Sequence, residues 1–178
     1  MADAQKYAFR SKQQAAGGDK AAICTAGVWK WSRHPNYFAE IVCQFGIYLI
    51  ALTPAAYPSL SHLPTSSRAA LASSVVGPVF LTVLLLCVSG LPLQEKPGAK
   101  KRWERSTDPE RGDGGKEWEK YREYLGETSI LVPMPRRVWR GLPVWVKRTV
   151  GCEWGMFVFV PERDGRRDGE GRGEGEAA

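Results

Sequence analysis

The stretch "AALASSVVGPVFLTVLLLCVSGLPL", residues 69–93, runs for 25 residues without a charged side chain. As a helix rising about 1.5 Å per residue it is roughly 37 Å long, more than the ~30 Å hydrocarbon core of a bilayer. A core helix of this length in a water-soluble protein ordinarily keeps a polar face, and this run has no charge with which to make one. The chain is therefore read as an all-α membrane protein. Its mean hydropathy of −0.31 conceals the apolar centre, because the tail after Val160 is almost wholly charge and glycine.

A second apolar run, "PNYFAEIVCQFGIYLIALTPAAYP", extends from Pro35 to Pro58. Its charge-free core, Ile41 to Leu52, is short and needs the residues around Glu40 to cross a bilayer. Lys6, Arg10, Lys12, Lys20, Lys30 and Arg33 precede this span, and Lys96, Lys100, Lys101, Arg102 and Arg105 follow the other. The connecting loop holds only Arg68 and His62. The positive-inside rule then predicts a helical hairpin with both flanks cytoplasmic. A net charge of +6 and a pI near 9.3 suit anionic headgroups or a phosphate-bearing ligand. No motif for nucleic acid accompanies that charge. Cys24, Cys43, Cys87 and Cys152 form no CxxC pair, which predicts free thiols and neither a disulfide framework nor a metal site. Residues 1–22 are polar and hold no signal peptide, so insertion is expected to rely on the internal spans or on sequence outside this chain.

Five regions follow: a basic entry segment (1–34), two spans (35–94), a cytoplasmic segment (95–135), an interfacial Trp/basic segment (136–160) and a disordered tail (161–178). Residues 1–15 are predicted as a helix with Lys6 and Arg10 on one face, and "KEWEKYREYL" as another. In "RRVWRGLPVWVKRTVGCEW" tryptophans alternate with cations, a pattern that suits a membrane surface.

The stretch "SRHPNYFAEI", residues 32–41, opens the first span. Pro35 suits a first helical turn, and Ser32 or His34 can cap it. The free N–H groups there, with Arg33 and Lys30 nearby, make a seat for a phosphate or carboxylate. Asn36 and Glu40 are four apart and share a helix face. A carboxylate at the centre of a span costs about 2.5–3.5 kcal/mol, and less near its end. Either Glu40 snorkels or pairs with a cation, or Asn36 and Glu40 together present donor and acceptor groups to a buried polar ligand. An amide suits both, and nicotinamide carries one.

The ordered set "GVWKWSRHPNYFAEI", "GIYLIAL", "GPVFLTVLLLCVSGLPLQEK", "KRW" and "TSILVP", preceded by "DAQKYAFR", resembles the membrane family related to steroid 5-alpha-reductases, in its DUF1295 branch. The resemblance covers roughly residues 3–135. It implies the C-terminal part of a multi-helix reductase bundle open to the cytoplasm. It also implies NADPH as cofactor, and reduction of a carbon–carbon double bond in a lipid or sterol-like substrate, with the endoplasmic reticulum as the expected membrane. By the same resemblance Asn36 and Glu40 contact the nicotinamide end. Asp3 and Arg10 hold adenosine and phosphate groups, with Lys6 an addition of this branch. Tyr124 lines the cofactor site, and Arg102 is a further phosphate ligand. His34 serves as a proton relay or as a helix cap. Ala39 stands where the family usually has Gly. The family's earlier helices, which carry the groups that activate the substrate, precede the segment with which this chain opens. Missing helices or a partner chain are therefore expected, and catalytic residues stay unassigned. The loop "STDPERGDGG" and the stretch after Pro135 are read as tolerated insertions. Two alternatives remain: an S-adenosylmethionine enzyme resembling isoprenylcysteine carboxyl methyltransferases, which share the "RHP" turn, and a truncated, non-catalytic membrane protein.

Overall fold

The computed structural model describes residues 2–18, 22–56, 64–110 and 112–165. Lys20, His62, Pro58 and the last thirteen residues of the expected tail lie outside them. Helix α1 covers Ala2–Ala15, and a short 3-10 turn over Gly27–Lys30 leads to α2, Pro35–Ala56. The return span comprises α3 (Thr65–Ser73), α4 (Val76–Val83) and a π-turn, Leu84–Val88. Beyond it lie α5 (Leu91–Ser106), α6 (Lys116–Glu127), α7 (Arg136–Gly141), α8 (Val144–Thr149) and α9 (Pro161–Asp164). Among the described residues there is no strand, only one isolated parallel bridge between Ser32 and Ser129.

Two helical stretches, Pro35–Pro54 and one starting at Thr65, are long and apolar enough to cross a membrane. Their large side chains face outward. Val42, Ile47, Leu49 and Ile50 on α2, and Val76, Val79, Phe80, Val83 and Val88 opposite, are exposed. Water does not tolerate an apolar surface that continuous, so it faces lipid or further helices. The charge-free part ends at Leu93, and the cations from Lys96 onward place the rest of α5 outside the hydrocarbon.

The return span differs from the continuous helix expected over residues 69–93. It turns at Ser74–Val75, because Pro78 has no N–H to give the Ser74 carbonyl. That carbonyl accepts from Gly77 instead, at 3.1 Å, and the Ser73 and Ser74 hydroxyls donate to the Ala70 and Leu71 carbonyls. Further on, Ser89 N–H donates to the Leu84 carbonyl at 2.9 Å, closing the wider turn. Gly90 then approaches so closely that a Cβ there would strike the Leu85 backbone. Pro92 opens α5, where a missing N–H costs nothing.

The start of the first span and the end of the second are joined by side chains and by backbone. Tyr37 accepts a hydrogen bond from Gln94. Arg33 and His34 N–H donate to the Ser129 and Ile130 carbonyls at 2.8 and 3.1 Å, and Met134 N–H donates to the Trp31 carbonyl. This pairing lays the "SILVP" segment along the entrance of α2. A core of Leu86, Leu91, Ile130, Leu131 and Phe157 fills the junction, and a second forms around Ala99, Trp118 and Phe159.

Two expectations are corrected here. The stretch after Pro135 is no loose insertion, since Trp139, Phe157 and Phe159 are buried and Asp164 pairs with Lys96 at 2.8 Å. Apolar contact draws these aromatic rings inward, each worth about 1.5–3 kcal/mol when fully buried. Val144 and Trp145 remain exposed. The loop after Thr107 is likewise pinned, because Asp113 accepts from the Ser106 hydroxyl at 2.6 Å and from the Glu117 N–H at 2.7 Å.

Candidate functional site

Three helices converge on the open mouth of the hairpin, where α2 begins and the return span ends. Helix α1 is fastened there by Gln5, which accepts the Val28 N–H at 3.1 Å, and by Trp29, whose indole N–H donates to the Ala2 carbonyl at 2.8 Å. Gly27, at φ 57°, supplies the left-handed backbone that makes the approach to Gln5 possible. Lys6 and Arg10, one turn apart, then face the same way. From α5, Gln94, Glu95, Gly98 and Arg102 recur at helical spacing, and from α6 come Tyr121 and Tyr124. Together with Trp29, Arg33, His34 and the backbone-turn residues Ala22 to Cys24 they enclose a cavity of about 200 Å³.

The cavity is basic with an aromatic wall. Lys6 Nζ stands 4.3 Å over the Trp29 ring, and the Arg102 guanidinium 4.7 Å over Tyr121. Arg102 also pairs with Glu117 at 3.2 Å. Burial lowers the Lys6 ammonium, and neighbouring Arg10 lowers it further. Burial pushes the Tyr121 phenol up to about 12 and raises that of Tyr124 too, so both stay neutral donors. Tyr124 donates to the Trp29 carbonyl at 3.2 Å.

One wall is a buried ionic chain. Arg33 donates to Glu95 at 2.5 Å and to Glu153 at 2.8 Å, and His34 Nε2 lies 2.6 Å from the other Glu95 oxygen. The His34 ring stacks on Tyr37, with centroids 5.2 Å apart. Burial pushes the Glu153 carboxyl up, against the opposing pull of Arg33. Ser32 accepts the His34 N–H at 3.2 Å and donates to the Leu131 carbonyl at 2.7 Å. The His34 side chain is therefore engaged by Glu95 and does not cap α2.

Of the residues singled out from sequence, Arg10, Arg102 and Tyr124 line this one cavity, from three separate helices. Asp3 is exposed one helical turn before Lys6 and does not line it. Asn36 and Glu40 share a face of α2 outside the cavity. Glu40 is exposed and touches Gln44 at 3.4 Å, with no cation pairing it among the described residues. The Asn36 Oδ1 is buried and has no hydrogen-bond partner among those residues. Sequence reasoning missed Glu95, Glu153, Gln94 and Tyr121. Only Glu95 carried a signal, as an acid placed directly after an apolar run. The four cysteines are free thiols, and no metal-binding cluster of His, Cys, Asp and Glu occurs among the described residues.

The profile of the family described as "Protein of unknown function (DUF1295)" matches residues 1–108, from α1 to just beyond α5. No curated protein and no solved structure matches the chain. Asp3, Arg10, Asn36, Glu40, Glu95 and Arg102 fall inside the match, whereas Tyr121, Tyr124 and Glu153 fall beyond it. With more than half of its length matched, the chain belongs to the DUF1295 family.

Proposed function

We propose that this chain is the cofactor-binding part of a membrane oxidoreductase that uses NADPH to reduce a carbon–carbon double bond in a lipid or sterol-like molecule. The observation that carries the reading is the convergence of Arg10, Arg102 and Tyr124 on one basic, aromatic cavity. Two features fit the cofactor. The cavity offers cations to phosphates, and at about 200 Å³ it suits a phosphate-bearing portion and not a whole dinucleotide. The orphaned Asn36 Oδ1 fits a carboxamide N–H, since a buried acceptor without a donor is costly. Bound there, the dinucleotide contributes a hydride to the double bond.

The chain's own residues bind and orient. Lys6, Arg10 and Arg102 hold phosphate oxygens, and Tyr121 and Tyr124 supply flat apolar surface with neutral hydroxyls. Asn36 accepts from the carboxamide, and Glu40, one turn further, accepts from the same group or from a donor on a neighbouring helix. The Arg33–Glu95–His34 chain keeps the cavity wall rigid. No residue of this chain is assigned the role of polarising the substrate. The resemblance points to the endoplasmic reticulum as the membrane.

The test is NADPH binding to the full chain in lipid nanodiscs, followed by the cofactor's fluorescence, with S-adenosylmethionine as the competing ligand. Saturable NADPH binding that weakens about tenfold in both Arg10→Gln and Asn36→Ala is expected, one lost hydrogen bond to a charged or buried partner being worth about 1.5 kcal/mol. Binding of S-adenosylmethionine alone, or binding indifferent to both substitutions, would sink the reading.

A further inference from the structure

A second recess shares no lining residue with the first. Thr25, Lys30, Trp31, Pro135, Arg136 and Arg137 enclose about 470 Å³ there. Three of the six carry positive charge and none carries a negative one. Arg136 reaches the Lys30 carbonyl and pairs with Glu127 at 3.1 Å, and Arg140 shares that same carboxylate. One acid is therefore shared by two cations, Arg136 and Arg140. Lys30 lies over the Trp31 ring at 4.9 Å, while Arg137 is exposed and has no ion-pair partner among the described residues.

The recess sits at a definite depth. Trp31 precedes Pro35, where the span begins, by a single turn of chain, and its carbonyl is tied to Met134. A half-exposed indole at that level belongs in the headgroup zone, where tryptophan concentrates. Directly after Arg137 come exposed Val138, Val144 and Trp145, with Lys147 and Arg148 interspersed. Exposed apolar side chains alternating with cations, continuous with the hairpin, suit a surface immersed in lipid. The positive-inside rule puts this surface on the leaflet that carries anionic lipid.

We propose that Lys30, Arg136 and Arg137 form a site for the phosphate of an anionic phospholipid headgroup, with Trp31 packed beside it and Val144 and Trp145 sunk among the acyl chains. Guanidinium groups suit phosphate oxygens because they donate in pairs. The site is independent of the cofactor reading.

The full chain is purified in detergent and mixed with phosphatidic acid, phosphatidylglycerol or phosphatidylcholine, and retained lipid is counted by native mass spectrometry. Wild type is expected to retain the two anionic lipids over phosphatidylcholine. The Lys30→Gln/Arg137→Gln pair, both exposed and outside every core, is expected to weaken retention about thirtyfold. The Lys116→Gln/Lys120→Gln pair on α6 removes equal charge elsewhere and should change retention less than twofold. Equal loss in the two pairs would overturn the site in favour of net charge. Unchanged retention in the first pair would overturn it outright. Displacement of the lipid by millimolar inorganic phosphate would reassign the recess to a soluble anion, against the proposal. Circular dichroism of each variant verifies the fold, and NADPH binding, unaffected by the first pair, keeps the two sites distinguishable.

Discussion

The two ends of the hairpin obey opposite rules. Along the spans, Ile47, Ile50 and Phe80 point away from the protein, and Glu40 has only Gln44 among the described residues. At the mouth, within two or three helical turns, Arg33 holds two carboxylates, and Glu95 holds the Arg33 guanidinium and the His34 imidazole. At the mouth the charged side chains find partners within the chain, although Arg33 Nε, the Thr128 and Ser129 hydroxyls and the Trp139 indole N–H are buried without a hydrogen-bond partner among the described residues. The mouth is thus held together by side chains distant in sequence, while the spans turn their apolar side chains outward.

Several substitutions can break or sharpen that contrast. The largest effect belongs to the mouth. Removing Glu95 with Ala takes from Arg33 one of its two carboxylates and from His34 its partner and is expected to cost about 3 kcal/mol, and Trp139→Ala about as much through the cavity it leaves. Thermal unfolding of the chain in nanodiscs reads both. Stability within 1 kcal/mol of wild type in either variant would show that the mouth is not a tightly packed unit. Gly90→Ala comes next, at about 1–3 kcal/mol, because the new methyl must displace the Leu85 backbone at the π-turn. If it is silent, the π-turn relaxes freely and the two halves are only loosely joined.

A pH titration is finer still. Burial raises the Glu153 carboxyl, so the folded chain holds its proton at pH values where the unfolded chain has released it. This group's contribution to stability therefore falls as pH rises from the ordinary glutamate value through the raised one. The unfolding midpoint plotted against pH should lose that descent in Glu153→Gln. An identical profile would mean that Arg33 wholly offsets the burial. The smallest effect is predicted for the membrane half. Ile50→Ala, on a side chain 76% exposed, should shift stability by no more than about 0.5 kcal/mol. A larger loss would reveal that copies of the chain already cover this face.

The two apolar spans were legible in the sequence because they depend on runs of residues that lack charge. Helices α1 and α6 were legible locally as well. The break at Ser74 was not, although Pro78 stood in plain view, since a hydropathy pattern counts serine and proline as only weakly polar and ignores where carbonyls find donors. The convergence of Arg10, Arg102 and Tyr124 needed a resemblance, because nothing local links α1, α5 and α6. The ionic chain escaped notice altogether. Glu95 beside Lys96 looks like a solvated flank, and its partner lies 62 positions away, with Glu153 120 from Arg33. Trp139 was read as interfacial from a Trp/basic alternation that is shared by Trp145, which is exposed. Tertiary packing separated the two rings, and spacing alone cannot.

The ionic chain also sets an order in time. Arg33 and both spans leave the ribosome before Glu153 exists, and the stretch from Glu95 to Glu153 takes roughly 3–12 s to synthesise. For that interval the hairpin can enter the membrane with its guanidinium held by Glu95 alone and the "SILVP" pairing unmade. The final third of the chain thus acts as a late fastener, and a premature stop before Glu153 would deliver inserted spans whose cytoplasmic end never locks. Such a product would meet the cell's membrane quality control as a half-closed hairpin, correctly threaded yet unfinished.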